Sequence, residues 1–173
     1  RLMTRAPLGS CRAYGGSASR PWTVVDSQYY AVAVDPPLAI PADYTAAHII
    51  NGRTRAQGAA TNLWASDPDQ PMPQWIQLDF GAATELNSVA LTFDTDMNNR
   101  SHDVPLVAQC VRDYELTCWN GTEWISLVRE RGNFQRHRIH RFETVSGNKL
   151  RLTVHATNGD PSARVFELRA YRE

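Results

Sequence analysis

The sequence predicts an all-β domain, an antiparallel β-sandwich, on three observations. Short runs alternate apolar and polar residues, as in Trp75-Ile76-Gln77-Leu78-Asp79-Phe80-Gly81 and Val89-Ala90-Leu91-Thr92-Phe93-Asp94, so one face of each turns to a core. Turn-forming residues separate the runs, most plainly Asn120-Gly121. No segment carries the 3.6-residue period of an amphipathic helix. Strands of this kind at such intervals bury their inner faces by stacking two sheets.

In chain order, residues 1–21 hold Gly9-Ser10, Gly15-Gly16-Ser17 and Pro21 without sustained periodicity, the composition of a linker or an arm lying on a neighbouring surface. Residues 22–173 form the domain. The run 22–34, from Trp22 to Val34, is rich in β-branched and aromatic residues and reads as a first strand or strand pair. It ends at Asp35-Pro36-Pro37, where proline cannot continue a ladder. A helical turn over 41–50 and a long loop over 51–73 follow. The runs 75–81 and 89–94 read as two adjacent strands, split by Gly81 and a short polar loop. Residues 113–119 and 123–129 flank Asn120-Gly121, a dipeptide suited to the two positive φ angles of a tight hairpin. Further strands are expected over 136–142, over 149–155 with Leu150, Leu152 and Val154 inward, and over 163–171 with Phe166, Leu168 and Ala170 on one face.

The 173 residues are 42% hydrophobic, enough for one domain with its own core. Eighteen basic residues balance eighteen acidic ones, so no global field draws nucleic acid, and no reading helix supports that partner. No stretch of 18 apolar residues spans a membrane, and no basic-then-apolar segment directs secretion. The chain opens on Arg1, as expected of a piece of a longer polypeptide. Three cysteines are too few for a disulfide framework. Cys110 and Cys118 on one strand would stand about 26 Å apart, so both are expected free and packed. Cys11 pairs with either only if its Gly/Ser-rich segment folds back.

Five landmarks in order carry a family resemblance: Asn51-Gly52, Trp64-Ala65-Ser66, the run Trp75 to Gly81, the hairpin Tyr114-Glu115-Leu116 to Gly121-Thr122-Glu123-Trp124, and Val165-Phe166-Glu167-Leu168-Arg169-Ala170-Tyr171. Over residues 46–171 the chain resembles the discoidin family, also called the coagulation factor V/VIII type C domain, with its galactose-binding-like jelly roll. Leu91-Thr92-Phe93-Asp94-Thr95-Asp96, Val111-Arg112-Asp113-Tyr114 and the run from Ala156 to Arg164 are also similar to a discoidin-like module at the C-terminus of certain bacterial FAD-dependent oxidoreductases. That second likeness implies an upstream flavin domain. These residues contain no Gly-x-Gly-x-x-Gly fingerprint, so no FAD is expected on this chain alone. The discoidin resemblance further implies a structural calcium beside the first loop, with Asn51 and Glu167 at the matching positions. Where the family tends to place a second acidic or amide residue after the Gly, this chain has Arg53 and Arg55. A plain turn at Asn51-Gly52 is the competing reading.

Asp94, Asp96 and Asn98 have the spacing that opens an EF-hand loop, but Asn99 stands where that motif needs Gly and Pro105 where it needs Glu. The polar run to Asp103 is instead expected to form a rim loop, the place where jelly-roll modules recruit ligands. Sugar recognition needs planar hydrogen-bonding groups and an aromatic face. Asp94, Asp96, Asn98, Asn99, Arg100 and His102 are candidates for the first and Trp64 for the second, although packing beneath the loop is the favoured reading of Trp64. Trp75, Trp119 and Trp124 fall on strands, as core or sheet-face residues. Arg129, Arg131, Arg136, Arg138, His140 and Arg141 make one basic cluster, and Arg136, Arg138 and His140 would share a strand face. His137 and His140, three apart, would point to opposite faces and could not share a metal. Asn99-Arg100-Ser101 and Asn120-Gly121-Thr122 match glycosylation sequons, the second better explained by its hairpin. No Gly-x-Ser-x-Gly elbow or His-Glu-x-x-His motif organises a catalytic centre, and Glu143 with Glu167 carry no spacing that shows one. The expectation is a non-catalytic accessory module that binds a carbohydrate or similar polar ligand through its rim loops. The alternative is a structural C-terminal module with no small ligand of its own, docking an exposed apolar or basic sheet face onto an attached FAD-dependent oxidoreductase core.

Overall fold

The computed structural model describes residues 2–3, 12–15, 21–23, 41–97 and 107–173. Among the described residues the elements run in the order β1 (Leu2–Met3), β2 (Arg12–Gly15), β3 (Pro21–Thr23), β4 (Pro41–Asp43), the 3-10 turn Ala46–Ile50, β5 (Trp64–Ala65), β6 (Gln74–Phe93), β7 (Val111–Trp119), β8 (Trp124–Glu130), β9 (His137–Thr157) and β10 (Arg164–Arg172). All the pairings are antiparallel. Most of the expected strand at 22–34 lies outside the described residues, and so does Cys11.

Two long strands build the sandwich. Residues 74–79 of β6 pair with 149–154 of β9, which also pairs with β7, and β8 closes that sheet. Beyond the register shifts at Asp79/Thr84 and Leu86/Ser88, residues 88–92 of β6 pair with 137–141 of β9, and β10 lies on the other side. Each strand therefore serves both sheets by bending. The runs 75–81 and 89–94 are thus consecutive halves of one strand, not two adjacent ones, and 136–142 and 149–155 are likewise halves of β9. Gly81, at φ 75°, turns the chain at the corner of β6, and the register with β9 breaks from Asp79 until Thr84, across Gly81, Ala82 and Ala83.

The inward faces match the alternation in the sequence. Ile76, Leu78, Val89, Leu91, Phe93, Tyr114, Leu116, Cys118, Leu150, Leu152 and Val154 are buried together with Trp64. β10 departs from the simple period. A bulge between Val165 and Glu167 puts Val165, Leu168 and Ala170 in this core and moves Phe166 to a second cluster with Leu63, Ala65 and Tyr44. Phe80 is half-buried at the core's margin. Cys110 and Cys118 are free and buried.

The β7–β8 hairpin also differs from the expected two-residue turn. Its loop spans 120–123, and only Gly121 has positive φ there. Asn120 Oδ1 accepts from the Thr122 and Glu123 amides at 2.8 and 2.9 Å and from the Thr122 hydroxyl at 2.8 Å. A side chain that satisfies the loop's donors removes the need for a second left-handed residue.

Candidate functional site

At one end of the sandwich the segment after β6 meets the start of β7, the β8–β9 loop over 131–136 and the β9–β10 loop over 158–163. Asp94 sits where β6 leaves the sheet, buried at 8% exposure. Its Oδ1 accepts the Asp96 amide at 2.9 Å, a closure that holds Asp96 at φ 47°. Arg164 lies between two carboxylates, with Nη1 3.7 Å from Asp94 Oδ2 and Nη2 3.1 Å from Asp160 Oδ2. Burial pushes the Asp94 carboxyl above its usual pKa, against the opposing pull of the Asp96 amide and the guanidiniums of Arg164 and Arg136. Arg136 donates to the Phe93 carbonyl at 3.1 Å and to the Thr54 carbonyl, with its guanidinium 4.9 Å over the Phe166 ring. The rim is a polar frame of ion pairs and hydrogen bonds.

Phe134 stands on the β8–β9 loop of this rim with 64% of its surface exposed. The loop is firmly tied. Asn133 is buried and donates to the Val111 carbonyl at 2.6 Å, while Asn158 donates to the carbonyls of Asn133 and Cys110 at 3.0 and 3.1 Å. The Phe134 ring is thus exposed on a loop whose neighbouring residues are hydrogen-bonded into the rim. Sequence reasoning looked for a spare tryptophan and passed over this phenylalanine. The signal was Gly132-Asn133-Phe134-Gln135, a lone aromatic among polar residues between strands.

The sequence-derived candidates divide. Asp94 and Asp96 come together at the rim, whereas Asn98, Asn99, Arg100 and His102 lie outside the described residues, as does the Asn99 sequon. Trp64 is wholly buried at 0% exposure in the core, so its indole offers no face to a sugar and the packing alternative holds. Trp75, Trp119 and Trp124 lie on the outer face of the first sheet. The Arg151 guanidinium sits 4.4 Å from the Trp75 ring and 4.2 Å from Trp124, and Trp124 packs 5.5 Å from Trp119.

The basic face expected over Arg136, Arg138 and His140 does not form. Arg138 meets Glu130 at 2.6 Å, and His140 points inward to share a 2.8 Å hydrogen bond with the Tyr114 hydroxyl. Arg136 precedes the strand and belongs to the rim. Arg129 pairs with Glu115 and Arg141 with Glu173, each at 3.0 Å. Core packing and local carboxylates thus disperse a cluster that is basic only in sequence. His137, on the opposite side of β9, reaches Thr92 at 3.3 Å.

Asn51 ends the 3-10 turn, and its Oδ1 accepts the Arg53 amide at 2.7 Å, closing a turn in which Gly52 has φ 79°. Glu167, buried on β10, is ion-paired with Arg169. Among the described residues no three His, Cys, Asp or Glu side chains gather as metal ligands, and no helix is long and apolar enough to cross a membrane.

Comparison with known proteins adds to this geometry. The family model described as the F5/8 type C domain matches residues 39–168. No curated protein matches. Among solved structures, the family 32 carbohydrate-binding module of Clostridium perfringens NanJ, in complex with galactose, is similar at 17% identity and a TM-score of 0.67, over 99% of this chain and 100% of that one. CpGH89CBM32-5 from the same organism, in complex with GalNAc-beta-1,3-galactose, aligns at 16% identity and 0.63, covering 96% of this chain and 98% of that one. Chitosan-binding module 1 from a Paenibacillus sp. chitosanase/glucanase aligns at 16% and 0.63, covering 94% and 96%.

Proposed function

Because the chain belongs to the F5/8 type C domain family, we propose that it is a non-catalytic module that binds a carbohydrate at the rim built by Asp94, Asp96, Arg164 and Phe134. The observation that carries this reading is the exposed Phe134 ring on a pinned loop, at the same end of the sandwich as the Asp94–Arg164–Asp160 frame. Sugars present hydroxyl pairs around a C–H face. The carboxylates and guanidinium suit the hydroxyls, and the phenyl ring suits the face. Three structural neighbours described in terms of galactose, GalNAc-beta-1,3-galactose and chitosan support the same ligand class. In a longer polypeptide such a module holds an attached catalytic domain near its glycan, and the binding step alone belongs to these residues.

A glycan array on the 173-residue chain, followed by calorimetric titration of any sugar retained, tests the proposal. Saturable binding is expected, and Phe134→Ala should weaken it at least about tenfold, or about 1.4 kcal/mol. The same variant should keep its melting temperature, since an exposed ring contributes little to the core. Undiminished affinity in Phe134→Ala, or a folded chain that retains no glycan, would remove the reading.

A further inference from the structure

The neighbourhood of Glu167 and the turn at Asn51-Gly52 carries a second inference, independent of glycan binding. The family resemblance implies a calcium ion there, and such an ion asks for about six to eight oxygen ligands. The donors present do not fit it. Asn51 spends its side-chain oxygen on the Arg53 amide, and its Nδ2 faces His48 Nδ1 at 3.1 Å and Asn62 Oδ1 at 3.5 Å. Arg53 and Arg55 follow within four residues. Glu167 is the one carboxylate of the implied pair, and a guanidinium already lies against it.

That guanidinium comes from Arg169, two residues along β10. Its Nη2 contacts Glu167 Oε1 and lies 3.7 Å from the point where a side chain on Gly52 would begin. On the sheet Arg169 stands opposite Ala90, whose methyl leaves the long side chain room to lie over the strand. A buried carboxylate without a cation is strongly unfavourable, and a cation tethered two residues along the same strand, on the same face, supplies the charge with no dissociation equilibrium. We propose that the Arg169 guanidinium, paired with Glu167 and lying beside the 51–53 turn, takes the place of the structural calcium in this chain, so that folding is independent of the metal.

Thermal unfolding of the full 173-residue chain in millimolar calcium chloride and in chelator tests this directly. The two melting temperatures should coincide, and a fall in chelator overturns the proposal. Arg169→Gln should lower the melting temperature by several degrees, because Glu167 is then left without its cation, and calcium should not restore it because the remaining donors do not fit the ion. Glu167→Gln should also lower it, with no calcium response. The double variant separates a coupled pair from two unrelated losses and decides the matter even where Arg169→Gln alone folds poorly. Its loss should be smaller than the sum of the two single losses. Additive losses, or a chain with Arg169 intact that gains stability from calcium, would return the site to the metal.

Discussion

His140 shows how one inward side chain couples the fold to proton activity. Burial holds its pKa below the ordinary 6.5, with the Arg138 charge acting in the same direction and Glu130 against it. The folded chain therefore binds this proton more weakly than the unfolded chain does. Stability contributed by neutral His140 is present above the unfolded value and is lost as pH falls through it toward the folded one. Melting temperature should decline as pH falls below His140's ordinary value of about 6.5, and His140→Gln, which keeps a partner for the Tyr114 hydroxyl without titrating there, should flatten that decline. An unchanged slope would assign the effect to another group. The Cys110 thiol, raised by burial and then by the Asp94 charge to about 11, follows similar logic and should resist alkylation at neutral pH until the chain unfolds.

At the scale of elements, β9 carries the tightest constraint. Gly147 lies where this strand bends between sheets, and a Cβ there would overlap Cys118 Sγ and the Trp119 carbonyl of β7. The obstruction is partly backbone, which cannot swing aside as a flexible side chain can. Gly147→Ala should cost about 1–3 kcal/mol in denaturant unfolding, and a neutral result would show that β7 and β9 separate there at little cost. Alternation located most inward residues correctly, because one face of a strand repeats every second residue. It failed at Phe166, where a bulge inserts an extra residue and shifts the parity. It also could not distinguish two adjacent strands from two halves of one, since both produce the same pattern of apolar residues.

For the molecule as a whole, strands shared by both sheets should make unfolding cooperative. β6 and β9 each contribute to both faces of one core, so neither sheet can open without disturbing its partner. Tryptophan fluorescence, dominated by Trp64 in the core and Trp75, Trp119 and Trp124 on the first sheet, should trace the same transition as far-ultraviolet circular dichroism. Two separated transitions would mean that the sheets fold as independent units. The same architecture sets the rim: loops distant in sequence meet at one end because the strands they join run antiparallel through a shared core.

The sequence alone determined the β-sandwich class, the inward faces of most strands and the family, because these rest on local period and on motifs read along the chain. Only the tertiary structure decided that Trp64 is core, that Phe134 stands exposed on a hydrogen-bonded loop, that members of the basic cluster disperse onto separate carboxylates, backbone carbonyls and the Tyr114 hydroxyl, and that Arg169 meets Glu167 beside Gly52. Each of those depends on which distant segments pack together and on how much solvent remains between them, and neither is a property of neighbouring residues.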